Sequence, residues 1–443
     1  MAIPLVHSAG GACIKANEPV LRRSPLIIFR KIPVRGRILA LLTLGSLAVG
    51  LDRSGLAPAV GDLRDALHVP SAALDISFGA YGFGFYLALA LSGLLIERLG
   101  PPRVLIGCGA LAALAMVATA GTVHVVMLAL ARLILGVAAG GLLPAATVLA
   151  AQWVPQQERG TTIGVIHAVY WLGPFGADVM VASADWLGTW RGAFVVLAGL
   201  SLAWVLLWFR MASALPRAEP LPVYWRGHVA RFLLPFFLAF AQSWAVALVI
   251  DWVPAYQLET WHLNVFNSPL LILAVAAAAG GGVLAGGFAA DWVLQDSGNL
   301  RPARQLLPGI GFFGAALGTF AMPGHHELDS IVLSTGVTLF FLTLGTASIW
   351  SLPLDIAVEN PAIGTLFIGL GTALAQLVAP LRIAHLTGQW WLGPTLGLPL
   401  LLAAAVGAFN LCPDLGIPEP PPPPEPEEGE EAAAGAKGKG GKH

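Results

Sequence analysis

Long apolar segments constrain this chain more than any other feature of it. Each runs to about 20 residues or more, the length at which an α-helix crosses the hydrocarbon of a bilayer. Hydrophobic residues make up 56% of the 443 and charged residues only 11%, whereas soluble domains carry roughly 25% charged residues. The mean hydropathy is +0.76. A soluble core cannot use that much apolar sequence, so the chain reads as an integral membrane protein embedded in a lipid bilayer. An outer-membrane barrel would show short strands with alternating polarity; the segments here are long and continuous. The reading is an all-α membrane protein with twelve transmembrane helices. They fall at roughly 38–60, 73–97, 102–122, 124–153, 161–185, 191–212, 229–257, 268–293, 303–323, 329–353, 362–387 and 393–412.

Lys and Arg collect on the cytoplasmic side of membrane proteins. With the N-terminus inside, nineteen of the 24 basic residues fall in inner segments, and only Arg64 and Arg191 in outer loops. Arg53, Arg132 and Arg382 lie within spans. Both termini are therefore expected in the cytoplasm, which an even number of spans also requires. The basic stretch before the first span leads into a full-length span, so no cleavable leader is read there.

The longest polar interruption, with Pro216, Pro220 and Pro222, divides the chain into halves. The expected organisation is a basic cytoplasmic arm (1–37), a six-helix bundle (38–212), a cytoplasmic linker (213–228), a second six-helix bundle (229–412) and a tail (413–443). The tail, with Pro420 to Pro424 followed by an acidic run, cannot bury a core and reads as disordered. Its polyproline stretch could dock a protein partner; a solvated spacer is the plainer reading. The halves repeat a local pattern. Span 2 ends Gly93-Leu94-Leu95-Ile96-Glu97-Arg98-Leu99-Gly100, and span 8 ends Gly286-Gly287-Phe288-Ala289-Ala290-Asp291. Small residues let helices approach closely, with an acid where each helix meets the cytoplasm. Repeated halves flanking a midplane site mark a secondary transporter.

Charges inside apolar spans are the candidate site. A charge at the bilayer centre costs roughly 2.5–3.5 kcal/mol on insertion scales and by default marks function. Asp52 and Arg53 sit together in span 1 and Arg132 in span 4. A guanidinium stays charged and can grip a carboxylate with two parallel hydrogen bonds; a structural tie between helices is the alternative for each. His167 in span 5 is a candidate proton carrier or a structural hydrogen bond. Asp178 and Asp251 could take part in coupling or simply face an outer vestibule. Tyr81 and Tyr170 are the aromatics chosen as cavity-lining. No nucleotide-cradling loop, metal motif, cofactor motif or enzyme constellation is visible, and a net charge of −1 argues against nucleic acid.

These residues resemble the major facilitator superfamily and, within it, the anion:cation symporter branch of organic-anion and sugar-acid permeases. The matching stretches are Leu51-Asp52-Arg53-Ser54-Gly55-Leu56 in span 1 and Gly79-Ala80-Tyr81-Gly82-Phe83 in span 2. In span 4 and after it they are Arg132-Leu133-Ile134-Leu135-Gly136 and Trp153-Val154-Pro155. Trp190-Arg191-Gly192 opens span 6, and Trp252-Val253-Pro254 matches in span 7. The resemblance implies that Arg53 and Arg132 hold an anionic substrate, and that Asp52 carries the coupled proton. It also implies that Gly93, Glu97, Arg98, Gly100 and Arg103, with Asp291 in the second half, form the gating loops. Two departures stand out. Ala139 lies at or near the place of the branch's usual coupling Glu, and Glu97 with Pro101-Pro102 alters the loop after span 2. Asp52 then becomes the leading proton carrier.

The expectation is a transporter, not an enzyme, that moves a small organic anion with H+ by alternating access. It would act without cofactors, as a monomer, in a bacterial inner membrane. The alternatives are a cation, metal or drug exporter built on Asp52, Asp178 and Asp251, and a non-transporting membrane scaffold or assembly factor.

Overall fold

The computed structural model describes residues 34–56, 58–182, 189–213, 229–262, 269–322, 327–356, 361–385 and 392–411. The expected arm up to residue 33, most of the linker and the whole tail lie outside them. The first half contains α1 (Val34–Ser54), a short α2 (Val60–Leu67), α3 (Ser71–Leu99), α4 (Pro101–Ala120), α5 (Val125–Trp153), α6 (Arg159–Ala182) and α7 (Trp190–Ala212). The second contains α8 (Val229–Ala247), a π-helical segment (Leu248–Trp252), α9 (Val253–Trp261), α10 (Pro269–Ser297), α11 (Leu300–Ala321) and α12 (Leu328–Leu344). It ends with α13 (Thr346–Ile356), α14 (Pro361–His385) and α15 (Leu392–Leu411). Ten helical stretches among the described residues are long and apolar enough to cross a membrane; α11 and α15 complete the twelve spans.

Three details differ from the sequence reading. Span 1 ends at Ser54 rather than near residue 60, because Gly55 and Pro58 follow and proline cannot continue the ladder. The short α2 then turns the chain back. Span 7 is not one α-helix but α8, the π segment and α9 in series. Span 10 is likewise broken at Gly345 into α12 and α13. A Cβ at Gly345 would press on the Cα of Pro308 in α11, so the break and the glycine serve the same close crossing.

The packing repeats between halves. In the first, α1 packs on α6, α3 on α5 and α4 on α7; in the second, α8 packs on α14, α10 on α12 and α11 on α15. These are the same three pairings in span order, and they form two six-helix bundles. The bundles meet through α6 against α10 and α3 against α14, contacts that exchange under the same repeat.

Small residues set these crossings. A Cβ on Gly136 would run into the carbonyl oxygen of Tyr81, and one on Gly140 into that of Phe85, which draws α5 hard against α3. Gly45 and Gly109 make the hollow that seats the Trp204 indole, whose Nε1 donates to the Leu41 carbonyl at 2.7 Å. Gly309 seats Phe409 at the equivalent crossing of the second half. Gly100, at φ +78°, lets α4 start directly after α3, with Pro101 at the first helical position, where its missing N–H costs nothing.

Alternating helix directions put the start of α1, the α3–α4 turn, the α5–α6 turn, the α10–α11 turn and the ends of α13 and α15 on one face. That face carries Arg35, Arg98, Arg103, Arg159, Arg301 and Arg304 and is called the basic face below.

Candidate functional site

A cavity of about 660 Å³ lies between the bundles. The first half lines it from α1, α3, α5 and α6, the second from α8, the π segment, the start of α9, α10, α12, α13 and α14. Arg53, Arg132, Tyr81, Tyr170 and His167 all line it. The sequence-selected residues therefore come from four helices to one wall. No Asp or Glu is among the described lining residues.

Arg132 is 1% exposed. Its Nη1 donates to the backbone carbonyls of Asp52 at 3.1 Å and Arg53 at 3.4 Å. Those oxygens belong to the last turn of α1, where helical carbonyls lose their intrahelical partners; the guanidinium caps the helix. Its Nε and Nη2 have no partner among the described residues. The guanidinium also lies over the Phe194 ring, 5.6 Å from the centroid. Arg53 donates from Nη1 to the Tyr170 hydroxyl at 3.2 Å and sits 5.5 Å from that ring's centroid. Helix capping and cavity lining thus coexist in Arg132, so the structural and functional readings are not exclusive.

Asp52 does not line the cavity. It is fully buried behind that wall, and its Oδ2 accepts from Ser201 Oγ of α7 at 2.7 Å. Its Oδ1 has no partner among the described residues. A hydrogen bond of 3.1 Å joins His167 Nε2 to Thr147 Oγ1. The His167 ring rests 4.8 Å from that of Trp350 on α13, across the bundle boundary. Asp178 lies on α6 and Asp251 in the π segment, with side chains outside the described residues. Ala139 is fully buried in the core.

At its deep end the cavity stops at Leu89, Leu143, His167 and Trp350. Below it, toward the basic face, the bundles are tied together. Asp355, at the end of α13, accepts from Arg159 Nη1 of the first half at 2.7 Å and from Arg304 Nε of the second at 2.7 Å. Asp291 accepts from the backbone N–H of Gly160 at 2.9 Å and of Thr161 at 2.6 Å. Those are free N–H groups of the first turn of α6, where an anion is doubly favoured. Arg35 pairs with Glu158 on the same face. From His167 to Gly160 is about 10 Å along α6 at 1.5 Å per residue, so the tie seals the cavity from the basic face. In the other direction the lining reaches Leu56, Ser77, Leu271 and Ile331, at or near the ends of helices on the opposite face.

Of the expected gating residues, Asp291 stands in this tie, and Gly93 fits where α3 crosses α14, against the Ala362 carbonyl. Glu97 and Gly100 are half-buried at the α3–α4 turn, while Arg98 and Arg103 are exposed on the face. Arg159, Arg304 and Asp355 were not singled out by the sequence. Arg304 counts in sequence only toward orientation, and Arg159 toward orientation and the matching stretch Glu158-Arg159-Gly160. Asp355 carried a signal of its own, as an acid closing the apolar stretch Ser351-Leu352-Pro353-Leu354.

This architecture is that of a two-bundle membrane transporter, and comparison with known proteins agrees. The Major Facilitator Superfamily profile matches residues 42–380, and the chain belongs to that family of transporters. It is 27% identical over 422 residues, 88% of this chain and 97% of the relative, to a probable sulfoacetate transporter of Cupriavidus necator. It is 24% identical to the hexuronate transporter of Bacillus subtilis, over 70% of this chain and 78% of that one. Among solved structures, the proton:xylose symporter XylE superimposes with a TM-score of 0.64 at 16% identity, covering 86% of this chain and 96% of that one.

Proposed function

We propose that the protein takes up a small organic anion together with a proton by alternating access, with both termini in the cytoplasm of a bacterial cell. The observation that carries this reading is the pair of arginines, Arg53 and Arg132, in the lining of a cavity with no Asp or Glu among its described lining residues. An unpaired buried cation is expensive, and an anion entering the cavity would relieve that cost. The relatives named for sulfoacetate and hexuronate transport support the anion class.

Coupling follows from charge. Asp52 stands behind Arg132 and partly balances it. A proton on Asp52 removes that balance and strengthens the hold on an anion; by linkage, the bound anion favours the proton to the same degree. His167, at the cavity floor and against Trp350, is the second candidate on the proton's route. With the basic face in the cytoplasm, the described state opens outward and is sealed inward. Rocking of the bundles would break the Arg159–Asp355 and Asp291–α6 ties and expose the same cavity inward. This balance of positive charge over the basic face agrees with a cytoplasmic location.

Proteoliposome uptake under an imposed proton gradient tests the reading. Arg53→Ala and Arg132→Ala should each lower anion uptake by more than tenfold, since a charge-assisted hydrogen bond contributes about 1.5–3 kcal/mol. Arg53→Ala should do so with unchanged membrane insertion. Normal uptake by both variants would end the proposal.

A further inference from the structure

The two halves present the cavity with opposite chemistry. Among the described lining residues, the charged ones, Arg53 and Arg132, come from the first half. Beside the free Nε and Nη2 of Arg132, the buried Ser77 hydroxyl on α3 also lacks a partner among the described residues. The α3–α5 crossing at Tyr81 and Gly136 holds these donors on one pole with Arg53.

The second half faces them with Val246, Val249, Ile250, Val253, Ile272 and Val275. Its polar lining groups are largely spent on their own bundle. Gln242 Nε2 donates to the Leu342 carbonyl and to Thr346 Oγ1, both at 2.9 Å. Gln376 Nε2 donates to the Ser243 carbonyl at 2.8 Å. Thr343 Oγ1 donates to the Ala279 carbonyl at 3.0 Å and the Leu339 carbonyl at 2.9 Å. Thr335 Oγ1 has no partner among the described residues, and Ser243 and Thr372 add two further hydroxyls to the lining. A substrate body reaching the stretch from Val246 to Val253 and the facing Ile272 and Val275 meets mainly branched apolar side chains. Hydroxyls or a second charge placed there would lose water without replacement, which is costly.

We infer, building on the anion reading above, that the substrate is a monoanion with an apolar body, aromatic or branched aliphatic. The two arginines hold its charged end, and the valine–isoleucine wall of α8, the π segment and α10 holds its body. Polyhydroxylated sugar acids and short dianions fit this cavity poorly. The π segment contributes to this wall. It carries Val249 and Ile250 in the lining, and such insertions re-aim side chains at functional sites.

The test is a binding and uptake panel on the purified full-length protein with phenylacetate, 4-methylpentanoate, glucuronate, sulfoacetate and the neutral 2-phenylethanol. Phenylacetate and 4-methylpentanoate should bind at least about tenfold more tightly than glucuronate or sulfoacetate, a margin an apolar wall can supply. Ile250→Asn should narrow that margin by weakening phenylacetate while leaving glucuronate unchanged or improved. Preference for glucuronate or sulfoacetate overturns the apolar-body inference and leaves the anion reading standing. Binding of 2-phenylethanol as tight as phenylacetate overturns the anion reading and this inference with it. A response to none of the five overturns the inference as well.

Discussion

At the residue scale, the site divides labour among three neighbouring charges. Arg132 caps α1 with one nitrogen and keeps two free; Arg53 shares its charge with Tyr170; Asp52 turns away to Ser201. Adjacent residues in a helix point about 100° apart, given 3.6 residues per turn. One charge pair can therefore serve two compartments, the cavity and the bundle core. Asp52→Asn should leave anion exchange in place and abolish its acceleration by an inward proton gradient. The comparison of gradient-driven uptake with counterflow in proteoliposomes measures both, and a retained gradient effect would move the proton to another group.

At the scale of elements, crossings are set by glycines that no other residue can replace. Gly136→Val should overpack the α3–α5 contact and lower stability by about 1–3 kcal/mol, read as a lower Tm in detergent. Gly79→Ala, where nothing stands within 4 Å, is the control and should leave Tm unchanged. The spans were legible in sequence because lipid demands continuous apolar length, and Asp52, Arg53 and Arg132 were legible because charge inside such length is costly. The helix breaks were harder to read. A π segment in span 7 and the interruption at Gly345 leave hydropathy unaltered, since both are answers to tertiary crossings. The apolar wall of the cavity was hidden for a related reason. Val249 or Ile250 reads the same whether it faces lipid, core or substrate. Asp355 was passed over because its meaning depends on Arg159 and Arg304, which lie 196 and 51 residues away.

At the scale of the whole molecule, two repeated bundles meet through α6 on α10 and α3 on α14, and the described state is tied shut on the basic face. Asp355→Asn should release the tie and strand Arg304, which is buried with its side chain fully covered. Removing one partner of a buried pair costs about 3–5 kcal/mol. The expected results are a lower Tm and faster labelling, from the basic face, of a cysteine introduced at the cavity residue Val246. Locking should do the reverse. Arg159→Cys with Asp355→Cys, in a background lacking Cys13, Cys108 and Cys412, should lose residual uptake when joined by a short bis-thiosulfonate linker and regain it on reduction. Uptake that persists after complete cross-linking would rule out separation of the halves at this point.

The shared position of Asp355 has a kinetic consequence. When the bundles part, Arg159, 14% exposed in its side chain, swings toward water, where its charge is hydrated again. Asp355 stays behind with Arg304, both fully covered and on the same bundle. At Asp355 the fastening would therefore open without leaving that carboxylate alone in a low-dielectric interior. That missing penalty, several kcal/mol for each stranded ion, would otherwise stand on the barrier of every turnover. A latch of Arg159 and Asp355 alone would leave the buried carboxylate without a partner each time it opened.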